Sequence, residues 1–317
     1  MVSILKMLAD GAQEDLGRPV TLQRLLASTP DLCVDLSDVP ASICASSVPQ
    51  WHRLGEKNDI YDRARRGTLM GWTRYGGDFL GYELHRPEFE RICVGTVVKD
   101  WQCDIADVHG FSNSQSDLSL FASTDAFAEE RCPHMIDAIS PEKLAENLAH
   151  REIRILHSST TSDHFAYYAW DKRVWLMNDG GSHHFAAAKY IAMRLEHRVA
   201  LRGLLRAYAI NPDMVASLRR DYKMFAMPKG AVFGSGFFEA MESFKAPWLW
   251  HDMPAPFQEA RAILLPRSER RSMRVAQELS KAGITDFGEH LMALATGQAD
   301  RVELYHDRAV SRPRLRA

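Results

Sequence analysis

The chain has 317 residues, of which 46% are hydrophobic and 25% are charged, and its formal net charge is -2. This composition is typical of a globular protein with one or two domains, and the near-zero charge gives no global reason to expect binding to nucleic acid or to an anionic membrane. The apolar segments are too short for a transmembrane helix or a signal peptide, and the five cysteines form no CxxC pair, so we expect reduced thiols and a cytoplasmic protein.

The sequence of the first half of the chain predicts short helices, and strands joined by tight turns. Residues 1–54 predict an N-terminal segment with a helix at "TLQRLLAS" and irregular chain after it. A mixed α/β core is predicted over residues 55–265, and it begins with strands joined by tight turns in "RRGTLMGWTRYGGDFLGYELHR". "RICVGTVVKDWQCDIADV" predicts another strand pair, and a polar loop follows from Ser112 to Ser123. Ser140 is the predicted cap of the next helix.

The middle of the chain has the clearest pattern. "EIRILHSS", "HFAYYAW" and "RVWLMND" predict three strands, and "SHHFAAAKYIAMRL" predicts a helix with one apolar face. "VALRGLLRAYAI" fits a strand or a helix, because its periodicity does not decide between them.

The last part of the chain, residues 266–317, predicts a pair of helices and a basic tail. Ser268 is the predicted cap of the first helix, and Asp286 with Glu289 has the spacing of a capping box before the second. The tail contains Arg308, Arg312, Arg314 and Arg316, and we interpret it as a solvated end. Together, the predicted helices and strands indicate a mixed α/β fold with a central mixed sheet, flanking helices and a C-terminal helical pair.

The junction between the third strand and its helix, "NDGGSHH", is the best candidate for a functional site. Gly180 and Gly181 allow close approach of a ligand to the backbone, and the N–H groups of the first helical turn favour an anion such as phosphate. Ser182 would cap the helix or add a hydroxyl to the same site. The alternative is that the glycines only make a sharp turn before a capped helix.

Three ionisable side chains of the same junction are candidates for catalysis. His183 and His184 lie in the predicted first turn, where the helix dipole disfavours a positive charge and lowers the pKa of an imidazole. Neutral imidazoles there would act as a base, a metal ligand or a hydrogen-bond donor. Asp179 is placed to bind a cation or to orient a histidine.

The segment "NDGGSHHFAAAKYIA" resembles the strand–turn–helix signature of the ParB/sulfiredoxin-like superfamily, and the likeness covers residues 157–195. In that superfamily a strand runs into Asp-Gly, then into a histidine-containing turn that ends in arginine, then into an alanine-rich helix. Asp179 and Gly180 match the start of the signature, and Ala-Ala-Ala-Lys matches the helix. His184 stands where the superfamily has an arginine that grips phosphate. The whole chain also resembles an uncharacterised family of proteobacteria and their phages, which implies no activity.

The superfamily resemblance implies a phosphorylated small-molecule ligand or a nucleotide, bound together with Mg²⁺. Asp179 would hold the metal ion or orient an acceptor hydroxyl, while Gly180, Gly181 and Ser182 would hold phosphate oxygens. His183 or His184 would stabilise charge or move a proton. Glu152 is a candidate additional carboxylate.

A second polar cluster, "HSSTTSDH", precedes this junction. Its functional interpretation is a hydroxyl-rich loop in which His157, Ser158 and Ser159 contact the same cofactor or ligand. The alternative is a polar turn whose hydroxyls bond to the local backbone. His164 with Asp179 is a candidate metal pair, which leaves a metal-dependent hydrolase or nuclease open.

These patterns favour an enzyme that binds a nucleotide or another phosphorylated ligand at residues 179–184, a phosphotransferase or a phosphohydrolase. Nucleic acid is a less favoured ligand, and no membrane partner is expected. The alternative from another class is a non-catalytic interaction protein of the kind found in phage–host conflict.

Overall fold

A computed structural model describes residues 4–29, 32–56, 65–234 and 236–298 of the protein. In the first half of the chain its helices and strands are α1 (Ile4–Asp15), α2 (Val20–Ser28), β1 (Thr68–Tyr75), β2 (Asp78–His85), α3 (Pro87–Glu90), β3 (Cys93–Asp104), β4 (Val108–Phe111), α4 (Thr124–Arg131), α5 (Pro141–Leu148) and α6 (Arg154–His157). The second half has β5 (His164–Tyr168), β6 (Val174–Met177), α7 (Ser182–Arg194), β7 (Ala200–Ile210), α8 (Pro212–Asp221), β8 (Tyr222–Pro228), α9 (Lys229–Gly234), α10 (Phe237–Ser243), β9 (Trp248–Asp252), β10 (Ala260–Pro266), α11 (Arg270–Lys281) and α12 (Phe287–Gln298). The predicted mixed α/β class and the C-terminal helical pair are confirmed.

The chain divides into two compact units, and each is assembled from separate stretches of sequence. Unit 1 takes its described residues from 1–38, 50–93 and 210–296, and unit 2 takes them from 39–49, 94–209 and 297–317. The predicted boundaries after residues 54 and 265 both fall inside unit 1, since local sequence patterns do not show which distant segments pack together. The predicted basic tail, Arg308–Arg316, lies outside the described residues.

Unit 1 contains a five-stranded sheet in the order β2-β1-β9-β10-β8, whose described pairings are antiparallel. β8, β9 and β10 are almost completely buried, so they appear in the sequence as continuous apolar runs rather than as alternating patterns. The tryptophans of "PWLWHD", Trp248 and Trp250, are buried in the core of this unit.

Unit 2 contains a mixed five-stranded sheet in the order β3-β7-β5-β6-β4. β5 pairs antiparallel with β6, while β4 pairs parallel with β6 and β5 pairs parallel with β7. The apolar face of α7 packs into the core of this unit through Phe185, Ala188 and Ala192, as its spacing predicts. β6 and α7 are therefore rigid supports on both sides of the junction at residues 178–181.

Local geometry differs from three of the sequence-based predictions. The segment "EIRILHSS", predicted as a strand, forms the short helix α6, because its backbone closes local bonds such as Ser158 N–H to the carbonyl of Arg154. The predicted strand pair in "RICVGTVVKDWQCDIADV" is one long strand, β3, followed by the short β4. Ser268 does not cap α11, because that helix begins two residues later and its N-cap is Glu269.

Other predictions are confirmed. The Ser140 hydroxyl accepts a hydrogen bond from the backbone N–H of Lys143, which caps α5. Asp286 accepts from the N–H of Glu289 at the start of α12, which is one of the two bonds of the predicted capping box, while the Glu289 carboxylate pairs with Arg219. The ambiguous segment "VALRGLLRAYAI" is a strand, β7.

A candidate phosphate-binding cleft at the start of α7

The junction between β6 and α7 depends on a left-handed glycine. Gly181 is the N-cap of α7 with φ 75°, a conformation that L side chains rarely adopt. A Cβ atom at this position would lie 2.6 Å from the backbone oxygen of Glu152 and 2.8 Å from the nitrogen of Ile153. The chain before α6 thus packs directly on the glycine, and a side chain here would separate the two segments.

Asn178 holds the junction against the polar loop at residues 112–116. Its side chain is buried, and Oδ1 accepts hydrogen bonds from the backbone N–H groups of Ser112 and Asn113. Nδ2 donates to the carbonyls of Asn113 and Gly180, at 3.0 and 2.9 Å. One buried amide therefore fixes the distance between two walls of the site.

These segments enclose a polar cleft in unit 2 with a volume of about 500 Å³. All but one of its lining residues are polar, charged or glycine, and they are Asn113, Ser114, Gln115, Met135, His150, Glu152, Arg154, Asp179, Gly180, Gly181, Ser182, His183 and His184. The whole predicted stretch from Asp179 to His184 lines this single cleft. The volume lies within the range typical of small-molecule sites.

Ser182, the first residue of α7, has an unused hydroxyl at the cleft wall. The residue is 3% exposed, yet within the described part of the chain its side chain has no hydrogen-bond partner. The N-cap residue, Gly181, has no side chain with which to cap the N-terminus of α7. A serine hydroxyl and the N–H groups of a first helical turn, both at the wall of a polar cleft, offer hydrogen-bond donors to an acceptor such as a phosphate oxygen.

The charged side chains of the cleft come from both sides of the glycine turn. Arg154, in α6, donates from Nη1 to Oδ2 of Asp179 at 3.3 Å, and both side chains are about half exposed. The hydroxyl of Ser162 donates to the same oxygen at 2.8 Å. The Glu152 carboxylate lies beside Gly180, since a Cβ at Gly180 would be 3.7 Å from its Oε2.

His184 is held by contacts from two directions. Its Nδ1 lies 3.1 Å from Oδ1 of Asn147, and its ring stacks on His150 with centroids 3.7 Å apart and an interplanar angle of 12°. Burial lowers the pKa of His184, and the neighbouring imidazoles of His150 and His183 lower it further. The direction agrees with the sequence-based expectation of neutral imidazoles in this turn.

His183 lies toward the loop side of the cleft. Its Nε2 is 3.1 Å from the Ser116 hydroxyl, and its ring is tilted against Phe127 with centroids 5.0 Å apart. The thiol of Cys132 donates to the His183 carbonyl. Burial lowers the pKa of His183, with a smaller contribution from the charge of Arg131.

The second predicted cluster does not line the cleft. His157 donates from Nε2 to the carbonyl of Leu148, and the hydroxyl of Ser158 lies 3.5 Å from that of Thr160. Ser159 is exposed on the same segment. These three residues fit the polar-turn interpretation, in which side chains bond locally, whereas Ser162 and Asp163 of the same cluster bond to Asp179 of the glycine turn.

Of the predicted metal pair, only Asp179 lines the cleft. His164 uses Nδ1 to bond the carbonyl of Ser162, and it is not a lining residue of the cleft, whereas Asp179 is. Among the residues that the structure describes, no group of three histidine, cysteine or acidic side chains has the arrangement of a metal-binding cluster.

Several residues that line the cleft or hold its walls in place were missed by sequence reasoning. Arg154 lies in a segment predicted as a strand, and Asn147, His150 and Asn178 had no role assigned. Their common signal is weak, a polar residue beside an apolar run, because hydrogen bonds between distant segments leave no spacing pattern in the sequence.

The lowered pKa of His184 predicts a specific pH dependence of stability. A histidine whose pKa is lower in the folded state contributes stability that is present above the unfolded pKa and is lost as the pH falls through the folded pKa. We expect the free energy of unfolding of the wild type to decrease more between pH 7.5 and pH 5 than that of His184→Gln. Urea titrations of both proteins at the two pH values measure this, and equal decreases would show that His184 is not a group that burial keeps neutral.

The family model of a family of unknown function, DUF6685, matches residues 98–303. The comparisons with curated proteins and with solved structures found no match. In the described parts of the chain, no helix combines the length and apolar character needed to cross a membrane. The family match extends over more than half of the chain and includes the entire cleft, and on this basis the protein belongs to the DUF6685 family.

Proposed function

We propose that the cleft binds the phosphate of a nucleotide or another small phosphorylated ligand, and that the protein is an enzyme acting on this group as a phosphotransferase or a phosphohydrolase. The observation that carries the proposal is the Ser182 hydroxyl at the N-terminus of α7, which lines the cleft and has no hydrogen-bond partner among the described residues. Its O–H group and the first-turn N–H groups can donate to an anion in the cleft, and the helix dipole adds favourable potential for that anion.

Arg154 supports the proposal from a different element. The resemblance to the ParB/sulfiredoxin-like superfamily implies an arginine at the position that His184 occupies. In this chain the cation of the cleft comes instead from α6, where Arg154 is paired with Asp179 and half exposed. A guanidinium with free N–H groups can bind a phosphate through two parallel hydrogen bonds, a bidentate geometry that a neutral imidazole does not provide.

The two carboxylates of the cleft suit a magnesium ion carried in with the phosphate. Asp179 and Glu152 both line the cleft, and both residues are exposed. Mg²⁺ is usually held by one or two protein carboxylates together with phosphate oxygens and water, so a complete protein cage is not needed. Bound there, the ion would neutralise phosphate charge, which these carboxylates would otherwise repel.

We expect a phosphorylated ligand to stabilise the protein and Ser182→Ala to weaken that effect. The hydroxyl has no partner among the described residues, so its removal should change the free energy of unfolding of the free protein by less than about 0.5 kcal/mol. A hydrogen bond to a charged phosphate contributes about 1.5–3 kcal/mol, so the dissociation constant should rise roughly tenfold to a hundredfold. Thermal unfolding with pyrophosphate, ATP, ADP-ribose and sugar phosphates, with and without Mg²⁺, measures both quantities.

Ser140→Ala is the matched control for this experiment. It removes a serine hydroxyl from the N-cap of α5, outside the cleft lining, so it should cost about 1 kcal/mol of stability and leave the ligand shift intact. A ligand at 100 times its dissociation constant adds about 2.7 kcal/mol to the wild type. If no phosphorylated compound shifts the unfolding temperature, the phosphate proposal is wrong and a protein-binding role becomes the better hypothesis.

A further inference from the structure

The orientation of the Asn147 side chain is determined by its partners. Asn147 lies in α5 and is 2% exposed. One end of its amide lies against two backbone carbonyls, those of Met135 at 2.8 Å and Lys143 at 3.0 Å. Carbonyl oxygens only accept hydrogen bonds, so this end is the NH₂ group. The oxygen Oδ1 is therefore the end that faces His184 Nδ1 at 3.1 Å.

This orientation assigns the tautomer of His184. An amide oxygen cannot donate, so the hydrogen in this contact belongs to Nδ1 of the imidazole. A neutral imidazole carries one N–H, which leaves the lone pair on Nε2. Free histidine in water prefers the opposite tautomer, so the contact with Asn147 selects the less common one.

The surroundings of His184 favour the neutral imidazole. From α7, His183 opposes a positive charge on His184, as does His150 from the turn before α6. Glu146 from α5 and Glu152 from the segment before α6 favour a positive charge, but burial outweighs them and the pKa of His184 stays below its ordinary value. A base that is free at neutral pH and near two carboxylates can accept a proton during a reaction.

We propose that Asn147 is a positioning residue that locks His184 in the Nδ1–H tautomer, so that Nε2 of His184 is the proton acceptor of the cleft. In the step that this predicts, Nε2 takes a proton from a hydroxyl or a water molecule whose oxygen forms a bond to the phosphorus of the ligand. The bond from that phosphorus to the leaving oxygen breaks, and the leaving group departs with the electron pair. His184 becomes an imidazolium and still donates from Nδ1 to Asn147. The catalytic part rests on the proposed function, whereas the tautomer assignment rests only on the contacts of Asn147.

The first test is to observe the tautomer directly. Two-bond ¹H–¹⁵N spectra of the full chain at pH 7.5 distinguish the two imidazole nitrogens, and the spectrum of His184→Gln identifies the signals of His184 among the 13 histidines. We expect the Nδ1–H form to be the majority, since the hydrogen bond to Asn147 shifts the ratio of the two forms in its favour by about threefold to tenfold. An Nε2–H majority in the wild type would overturn the proposal without any variant of Asn147.

Variants of Asn147 test the cause of that preference. Asn147→Ala removes the acceptor, and we expect His184 to change to an Nε2–H majority. Asn147→Asp keeps an acceptor, so the Nδ1–H form should persist and the pKa of His184 should rise toward its ordinary value, since a carboxylate favours the imidazolium. Ser116→Ala is the control, since Ser116 contacts His183 and should leave the His184 tautomer unchanged. A folded Asn147→Ala protein that retains the Nδ1–H form would contradict the assigned role.

The pyrophosphate shift of the wild type, measured on the same samples, separates the two proposals. If the Nδ1–H tautomer is found and pyrophosphate does not bind, the positioning role of Asn147 stands and the phosphate function fails. If pyrophosphate binds and the tautomer is Nε2–H, the phosphate site stands and the role of Asn147 fails.

Discussion

Gly181→Ala should lower the free energy of unfolding by about 2–5 kcal/mol. The left-handed conformation costs an L residue about 1–2 kcal/mol, and forcing a methyl group into a packed position adds about 1–3 kcal/mol. The added Cβ would meet backbone atoms of Glu152 and Ile153 at 2.6 and 2.8 Å, and backbone cannot rotate away as a flexible side chain can. Urea unfolding monitored by circular dichroism measures the change.

Gly180→Ala provides the matched comparison one residue earlier. Gly180 is not among the glycines with positive φ, and its Cβ would approach nothing closer than 3.7 Å. This variant should lose less than about 1 kcal/mol. If both glycine variants were equally stable, the close packing of Gly181 on the chain before α6 would be disproved.

Asn178→Asp should be about as destabilising, by about 3–5 kcal/mol at pH 7.5. The two acceptor contacts with Ser112 and Asn113 can persist, but the donor end becomes a carboxylate oxygen facing the carbonyls of Asn113 and Gly180. The variant leaves two carbonyls without a donor and buries a charge, both of which are costly. Because a buried charge replaces the two donor contacts beside the glycine turn, we also expect the pyrophosphate shift to become smaller.

The pH dependence of this variant has a definite sign. A buried carboxyl beside carbonyl oxygens has a raised pKa in the folded state, so its contribution to stability is present at low pH and lost as the pH rises through the folded value. The difference in free energy of unfolding between Asn178→Asp and the wild type should therefore be smaller at pH 4.5 than at pH 7.5. Asn113→Asp makes the same change at the exposed neighbour, which donates one side-chain bond to the Asp179 carbonyl, and should lose less than about 1 kcal/mol. If both variants lost the same free energy of unfolding, the buried hydrogen bonds of Asn178 would not hold the loop and the junction together.

The sequence alone was sufficient where structure depends on neighbours along the chain. The helix at Ser182–Arg194 follows from apolar spacing at 3.6 residues per turn, and the cap at Ser140 from a local side-chain bond to the backbone. The glycine at the start of α7 is also a local feature, since the left-handed conformation of the N-cap depends on the backbone of that one residue. The interactions that determine these elements join residues that lie within about four positions of each other in the sequence.

The tertiary structure alone decided how these elements combine into a site. Arg154 reaches Asp179 only because "EIRILHSS" folds as a turn and a short helix, and a short apolar run fits a strand equally well until its packing partners are known. The amide contacts of Asn147 and Asn178 join segments 37 and 65 residues apart, through groups that have no periodicity. Periodicity records which face of an element is buried, whereas the choice of hydrogen-bond partner across a cleft is made by the whole fold.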